Sequence, residues 1–329
     1  MEKPKVFVSR RIPVDGLDRI IELGDVELWE EDLEPSYDVL LEKVVGADGL
    51  VCLLTDRIDD QLMDAAGDQL RVISQMAVGF DNIDTKAATE RGIAVGHTPG
   101  VLTDTTADFA FTLLMAAARR VAEGARYVQE GHWKTWGPTL LMGYDVYGST
   151  LGLVGSGRIG QAVARRASGF NMRILCYDPF VDEDVITAFG AESTSLENVL
   201  SESDFVSLHV PLTRETRHMI GASQFRDMKS TCVLVNTSRG PVVDTEALYH
   251  ALKDGEIAYA ALDVTEPEPI PFGDPILTLD NCLIVPHIAS SSIATRTQMS
   301  TMVADNLAAG LKGEVLPYCA NPGDLRVTK

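Results

Sequence analysis

The sequence has 329 residues, more than one ordinary core holds and enough for two domains. Its 45% hydrophobic and 23% charged residues are those of a folded globule rather than a disordered or fibrous chain. The formal charge of −20 repels phosphate backbones and anionic lipid, which excludes nucleic acid and membrane surfaces as partners. Strand and helix patterns then alternate along the chain, as in parallel sheets covered by helices. Lys5-Val-Phe-Val-Ser9 reads as the first strand, with no apolar leader or cleavage pattern before it, and an amphipathic helix follows over 13–23. Strand 26–29, helix 37–45, strand 49–54, helix 59–66, strand 71–75, helix 85–91 and strand 93–95 complete a first unit. The turn after its first strand, Ser9-Arg-Arg-Ile-Pro13, has no glycine to admit a pyrophosphate.

Pro99-Gly100 breaks the pattern and reads as a hinge, with a second expected near 286–290. A long helix over 103–120 follows, apolar from 109 to 118 except at Thr112 and too short to span a membrane. After a loop carrying Trp133 and Trp136, Thr150-Leu-Gly-Leu-Val154 opens a second unit, with strands at 173–177, 205–208, 232–235, 258–264 and 283–285. The helix over 292–311 has no strand left to lead into and is expected to cross back onto the first unit. The expected fold class is therefore α/β: two Rossmann-like doubly wound parallel-sheet domains with a cleft between them. Residues 1–99 and 290–329 would form a flavodoxin-like substrate-binding domain, and 100–289 an NAD-binding Rossmann domain. Cys52, Cys176, Cys232, Cys282 and Cys319 are widely spaced and form no CxxC or Cys/His cluster, so a reduced, metal-free, cytoplasmic protein is expected.

Gly155-Ser-Gly157-Arg158-Ile159-Gly160 fits G-x-G-x-x-G, follows an apolar strand and opens a helix, which is the context the motif requires. Gly155 permits the tight turn, Gly157 lets backbone approach a pyrophosphate, and Gly160 lets helix and strand lie close. Asp178 ends the next strand, where a carboxylate takes the adenosine ribose hydroxyls and repels a 2′-phosphate. NAD(H) is therefore expected in preference to NADP(H).

Four further stretches resemble the D-isomer-specific 2-hydroxyacid dehydrogenase family, most of all its glyoxylate/hydroxypyruvate reductases. They are Val78-Gly79-Phe-Asp-Asn-Ile-Asp84, His209-Val-Pro211-Leu-Thr-Arg-Glu-Thr216, Asn236-Thr237-Ser-Arg239-Gly-Pro-Val-Val-Asp244 and Pro286-His287-Ile-Ala289-Ser290. Ala261-Leu-Asp263-Val-Thr-Glu-Pro-Glu268-Pro269 lies between the last two. The resemblance implies reduction of a small 2-keto acid by Arg239, Glu268 and His287. Those residue types suit such a reaction, which needs a planar cation for the substrate's oxygens, a proton donor near pH 7, and a carboxylate to orient the imidazole. It also implies a substrate seat at Leu53, Val78 and Gly79, the last two gripping the carboxylate by backbone N–H. Thr106, His209, Pro211, Thr216, Thr237, Asp263 and Ala289 would join the glycine loop and Asp178 around the cofactor. Two departures stand out: Ala289 where the family often has glycine, and Thr265-Glu-Pro where the reductases usually carry an aromatic and two acids.

His209 is the competitor to His287, since it too ends a strand, whereas His97, His132, His218 and His250 show no carboxylate partner in the sequence. Other substrates on this scaffold are D-lactate, D-3-phosphoglycerate, formate and phosphite; phosphite dehydrogenases carry a lysine where Val78 stands. A non-catalytic, NAD-sensing corepressor-like protein is the alternative of another class. A homodimer is expected, the Trp133/Trp136 loop reaching the neighbouring subunit.

Overall fold

The computed structural model describes residues 3–322, so the last part of the 290–329 segment lies outside the described residues. Two compact units emerge, one from the described residues up to Leu102 with those from Ser291 onward, the other Thr103–Ser290. The first begins with β1 (Lys5–Val8), α1 (Val14–Leu23), β2 (Asp25–Leu28) and α2 (Tyr37–Lys43). It continues with β3 (Gly49–Cys52), α3 (Asp60–Ala66), β4 (Val72–Gln75), α4 (Thr85–Glu90) and β5 (Ala94–Gly96). The five strands are all parallel in the order β2-β1-β3-β4-β5. β3, β4 and β5 are buried along their whole length, so none of them alternates apolar with exposed polar positions, although β4 ends on the buried polar pair Ser74 and Gln75. Short polar side chains start the helices: Ser36, Asp59 and Asp84 each accept from an amide in the first turn of α2, α3 and α4.

The second unit opens with α5 (Thr103–Ala118), α6 (Val121–Gln129), β6 (Thr150–Val154), α7 (Arg158–Ser168) and β7 (Arg173–Tyr177). Then come α8 (Glu183–Ala188), β8 (Glu192–Ser193), α9 (Leu196–Glu202), β9 (Phe205–Leu208), α10 (Ala222–Asp227) and β10 (Val233–Asn236). α11 (Thr245–Asp254), β11 (Tyr259–Leu262) and β12 (Cys282–Ile284) complete its sheet, parallel throughout in the order β12-β11-β10-β9-β6-β7-β8. Counted from β6, the strand order reverses between β6 and β9, as in the doubly wound dinucleotide-binding fold. Successive residues of one strand serve opposite faces: Val233 and Val235 pack with α5 and α7, Leu234 with the cluster of α9, α10 and α11. Last, α12 (Ile293–Lys312), capped by Ser292, packs on α1 and on the β3–β5 side of the first sheet. Among the described residues no helix is long and apolar enough to cross a membrane.

The helix expected over 103–120 ends at Ala118. Arg120 takes a left-handed conformation (φ 52°), its guanidinium holds Glu123 at 2.7 and 2.8 Å, and the Tyr144 amide caps the Ala118 carbonyl.

Candidate active site

In the second unit the carboxyl ends of β6 and β9 face the strand-order reversal, and the glycine loop sits there. Gly155 has φ +100°, and a Cβ on it would lie 2.7 Å from the His209 carbonyl oxygen. A Cβ on Gly160 would lie 2.3 Å from the Gly155 oxygen, so both glycines are required by the packing of loop against helix. Gly157 differs. It is exposed, and a Cβ there would meet nothing within 4 Å, so the space a side chain would fill is open to a ligand. It precedes α7, whose first turn holds Arg158, Ile159 and Gly160 and has no side-chain cap. That combination of open backbone and uncapped helix start fits a dinucleotide pyrophosphate.

Asp178 follows β7. Its Oδ2 accepts from the Ser156 amide (2.8 Å) and hydroxyl (2.9 Å), and its Oδ1 from the Phe180 amide (3.0 Å), which anchors it beside the glycine loop. Thr106 is buried in the first turn of α5, which packs on α7. His209 follows β9, with Nε2 2.9 Å from the Ser207 hydroxyl, and burial pushes its imidazole down to about 4. Just beyond it, Thr216 closes a loop by donating to the Pro211 carbonyl at 2.7 Å. The Thr237 hydroxyl is buried with no protein partner, an orphan that suits a polar ligand at the end of β10.

Arg239 lies three residues beyond β10, and Asn236 shapes its turn. The Asn236 amide nitrogen donates to the Arg239 carbonyl (2.9 Å), while its oxygen accepts from the Ser238 amide (3.0 Å) and hydroxyl (2.8 Å). Gly240 then presses on the loop that follows β11; a Cβ there would lie 1.9 Å from the Thr265 oxygen. This close approach brings the Arg239 turn against the loop carrying Glu268. Glu268 Oε1 lies 2.6 Å from His287 Nδ1, and its Oε2 accepts from the Thr265 amide at 3.3 Å. Burial pushes the Glu268 carboxyl up, but the hydrogen bond and charge of His287, the Thr265 amide and the charge of Arg239 outweigh it and hold the group below its usual value. With the carboxylate accepting, Nδ1 carries a hydrogen and Nε2 is the ring's other, reactive nitrogen.

His287 has φ +51°, and Asp263 enforces the turn around it. The Asp263 carbonyl accepts from the His287 amide (2.9 Å), and its carboxylate oxygens accept from the amides of Ile288 (2.7 Å) and Ala289 (2.9 Å). Burial raises this carboxyl against those hydrogen bonds. Asp263 and Asn236 thus shape the His287 and Arg239 turns, a role the sequence pattern does not reveal. Nor does it reveal that His218 has a carboxylate partner, Glu266, at 2.6 Å, with Arg217 on the other oxygen. In the first unit, Leu53 follows β3, and Val78 and Gly79 follow β4, all at the carboxyl edge of that sheet.

Comparison with known proteins shows the family. Residues 111–289 match the family model described as D-isomer specific 2-hydroxyacid dehydrogenase, NAD binding domain. A glyoxylate reductase of Korarchaeum cryptofilum is 58% identical over 326 residues, 99% of this chain and 98% of its own. Among solved structures, the TT0316 protein of Thermus thermophilus is 47% identical with a TM-score of 0.90, over 96% of this chain and 99% of that one. An NADPH-dependent glyoxylate/hydroxypyruvate reductase of Sinorhizobium meliloti, in complex with NADP and malonate, is 30% identical with a TM-score of 0.82, over 97% of both chains.

Proposed function

Because the chain belongs to the D-isomer specific 2-hydroxyacid dehydrogenase family, we propose that it reduces glyoxylate or hydroxypyruvate to glycolate or D-glycerate. The observation that carries this reading is the 2.6 Å pairing of Glu268 with His287, in the unit that also holds Arg239 and the glycine loop. The chain is an oxidoreductase, and a bound nicotinamide dinucleotide supplies the hydride that the substrate's carbonyl carbon accepts. Arg239 presents a planar cation to the substrate's oxygens and stabilises the negative charge that develops on the carbonyl oxygen. His287 gives that oxygen a proton from Nε2, so carbon gains a hydride and oxygen a proton. Glu268 holds the ring by Nδ1–H and balances the positive charge the ring carries before the transfer.

In this reading the first unit is the substrate-binding domain, and the Leu53 turn with the Val78-Gly79 backbone takes the substrate's carboxylate end. The cofactor lies along Gly155, Gly157 and the start of α7. Thr106, His209, Pro211, Thr216, Thr237, Asp263 and Ala289 complete its surroundings. Asp178 favours NADH over NADPH, since a carboxylate there accepts from a free ribose hydroxyl and repels a 2′-phosphate. The active species is a cytoplasmic homodimer; five free thiols suit a reducing compartment.

The test is an NADH-oxidation panel with glyoxylate, hydroxypyruvate, pyruvate and bulkier keto acids. Glyoxylate and hydroxypyruvate should have the highest kcat/KM, and a bulkier acid turned over faster than both would overturn the substrate assignment. NADPH should be the poorer cofactor, and Asp178→Ala should narrow the gap. Equal efficiency with both cofactors in the unaltered enzyme would remove Asp178 from this role.

A further inference from the structure

Three loops of the second unit, those that follow β9, β10 and β11, meet at one side chain. Glu266 lies in the loop after β11, two residues before Glu268, and its side chain is only a quarter exposed. Its Oε1 takes the Arg217 guanidinium, and its Oε2 lies 2.6 Å from His218 Nε2. Its carbonyl accepts from the hydroxyl of Thr245, the first residue of α11, at 3.0 Å. Arg217 and His218 belong to the loop after β9. The His218 amide donates to the Pro241 carbonyl at 2.7 Å, which ties that loop to the turn just past Arg239. His218 adopts φ +52°, a left-handed backbone uncommon for a residue with a side chain, and there its amide meets Pro241 while its ring meets Glu266.

From Glu266 to Glu268 the chain has little freedom of its own. The Thr265 hydroxyl donates to the Pro267 carbonyl (2.8 Å), and the Thr265 amide to Glu268 Oε2 (3.3 Å). Pro267 and Pro269 each fix a backbone torsion on either side of Glu268. Displacing Glu266 therefore moves Glu268 with it. Arg217 and His218 are about half exposed, so the ion pairs they make add little to global stability. Their consequence is geometric: a residue engaged through both carboxylate oxygens and its carbonyl has one place to lie.

We propose that Glu266 is a positioning residue: clasped by Arg217, His218 and Thr245, it fixes the loop so that the Glu268 carboxylate stays on His287 Nδ1. This rests on the reading of Glu268 and His287 as the pair that handles the proton, and it adds what aims them. Arg217 and His218 act through Glu266 rather than on the substrate.

The experiment reads kinetics and one proton. Glu266→Ala withdraws the acceptor for both donors. The kcat for glyoxylate should fall roughly ten- to hundredfold, the scale of misplacing a catalytic group by about 1 Å, while KM for NADH and the thermal midpoint stay nearly unchanged. Glu266→Gln should recover most of kcat, because its oxygen still accepts from Arg217 and its amide donates to Nε2 of a neutral His218 ring. In a Glu268→Ala background no carboxylate is left to aim, so Glu266→Ala should cost little more; losses that multiply would show that Glu266 does not act through Glu268. His218→Phe and Arg217→Met each withdraw one donor and carry the same comparison if Glu266→Ala does not fold. The second readout needs no turnover. A ring proton held by a carboxylate 2.6 Å away resonates far downfield. This His287 Nδ1–H signal, identified by its loss in His287→Gln, should weaken or move upfield in Glu266→Ala. An unmoved signal, or an unchanged kcat, overturns the proposal. An enzyme that reduces no 2-keto acid overturns the functional reading instead, and the proton signal still decides whether Glu266 aims Glu268.

Discussion

His209 and His287 both follow a strand of the same sheet, yet their surroundings make them different chemical groups. His209 is packed behind the glycine loop and its imidazole is lowered from 6.5 to about 4, so it is neutral near pH 7 and no proton donor there. His287 instead has a carboxylate on Nδ1. His287→Gln should therefore lower kcat/KM for keto-acid reduction by roughly 10²–10⁴-fold, the worth of a general acid, whereas Glu268→Gln should cost less because the amide oxygen can still accept from Nδ1. Near-full activity in His287→Gln would shift the role elsewhere. For His209 the pH consequence concerns stability. Its folded value lies below its unfolded one, so between about 6.5 and about 4 the unfolded chain binds a proton that the folded one refuses. The stabilisation is complete above 6.5 and is lost as pH falls toward 4, by up to roughly 3 kcal/mol at 1.36 kcal/mol per unit. Urea melts at pH 7.5 and 4.5 should show a smaller acid loss in His209→Gln than in the unaltered chain, and equal losses would refute it. The places of Arg239, Glu268 and His287 were legible because each lies beyond a strand end or on a proline-stiffened loop, and the structure pairs the last two. The turn-shaping contacts of Asp263 and the Glu266–His218 pair were not, because they join segments far apart in the chain. Asn236 instead acts on its neighbours Ser238 and Arg239, through a turn geometry that no pattern announces.

At the level of elements, the pattern of apolar strands set both sheets, and the glycine loop was readable because strand, turn and helix occur together there. The break after Ala118 was not readable, since the cap that ends α5 arrives from Tyr144. β8 pairs only two residues, both exposed, and leaves no periodic trace in the sequence. α6 buries none of its residues, so its apolar positions serve no core within the chain. The glycines that shape the site separate into two kinds, and a pair of substitutions distinguishes them. Gly157→Ala adds a methyl where nothing lies within 4 Å and where φ is −61°, so the fold should tolerate it. The methyl occupies the approach proposed for the pyrophosphate, so KM for NADH should rise about tenfold or more while thermal stability stays nearly unchanged. Gly240→Ala puts a methyl 1.9 Å from the Thr265 oxygen and forces the Arg239 turn and the Glu268 loop apart. It should cost about 1–3 kcal/mol of stability, as overpacking does, and lower kcat for every keto acid alike. If Gly157→Ala left NADH binding untouched, the open face of the loop would not be where the pyrophosphate lies.

For the molecule as a whole, the split into two α/β units follows from strand–helix alternation and from a last helix with no strand to serve. The packing of α12 on α1 and the first sheet supplies the reason the chain's two ends share one core. What the chain leaves uncovered bears on its assembly. The segment between α6 and β6 exposes Trp133 (61%) and Trp136 (78%), with Met142 and Tyr147 also largely exposed. Aromatic rings of this size bury roughly 150–250 Å² each when covered, and a small domain rarely leaves several in the open without a use for them. A second copy of the chain is the partner expected to cover them. Each copy carries a charge of −20, so pairing is opposed by like-charge repulsion and driven by apolar burial. Salt screens the first and leaves the second, so the dimer should tighten as ionic strength rises from about 0.01 to 0.15 M and the Debye length shrinks from about 30 to 8 Å. Light scattering at micromolar protein should give about twice 35.7 kDa. Dilution should bring the mass down and shift the tryptophan emission to the red, because Trp133 and Trp136 are two of the three tryptophans. Serine at both positions should weaken the dimer, and a fully active species of one chain's mass at micromolar concentration would refute the assembly.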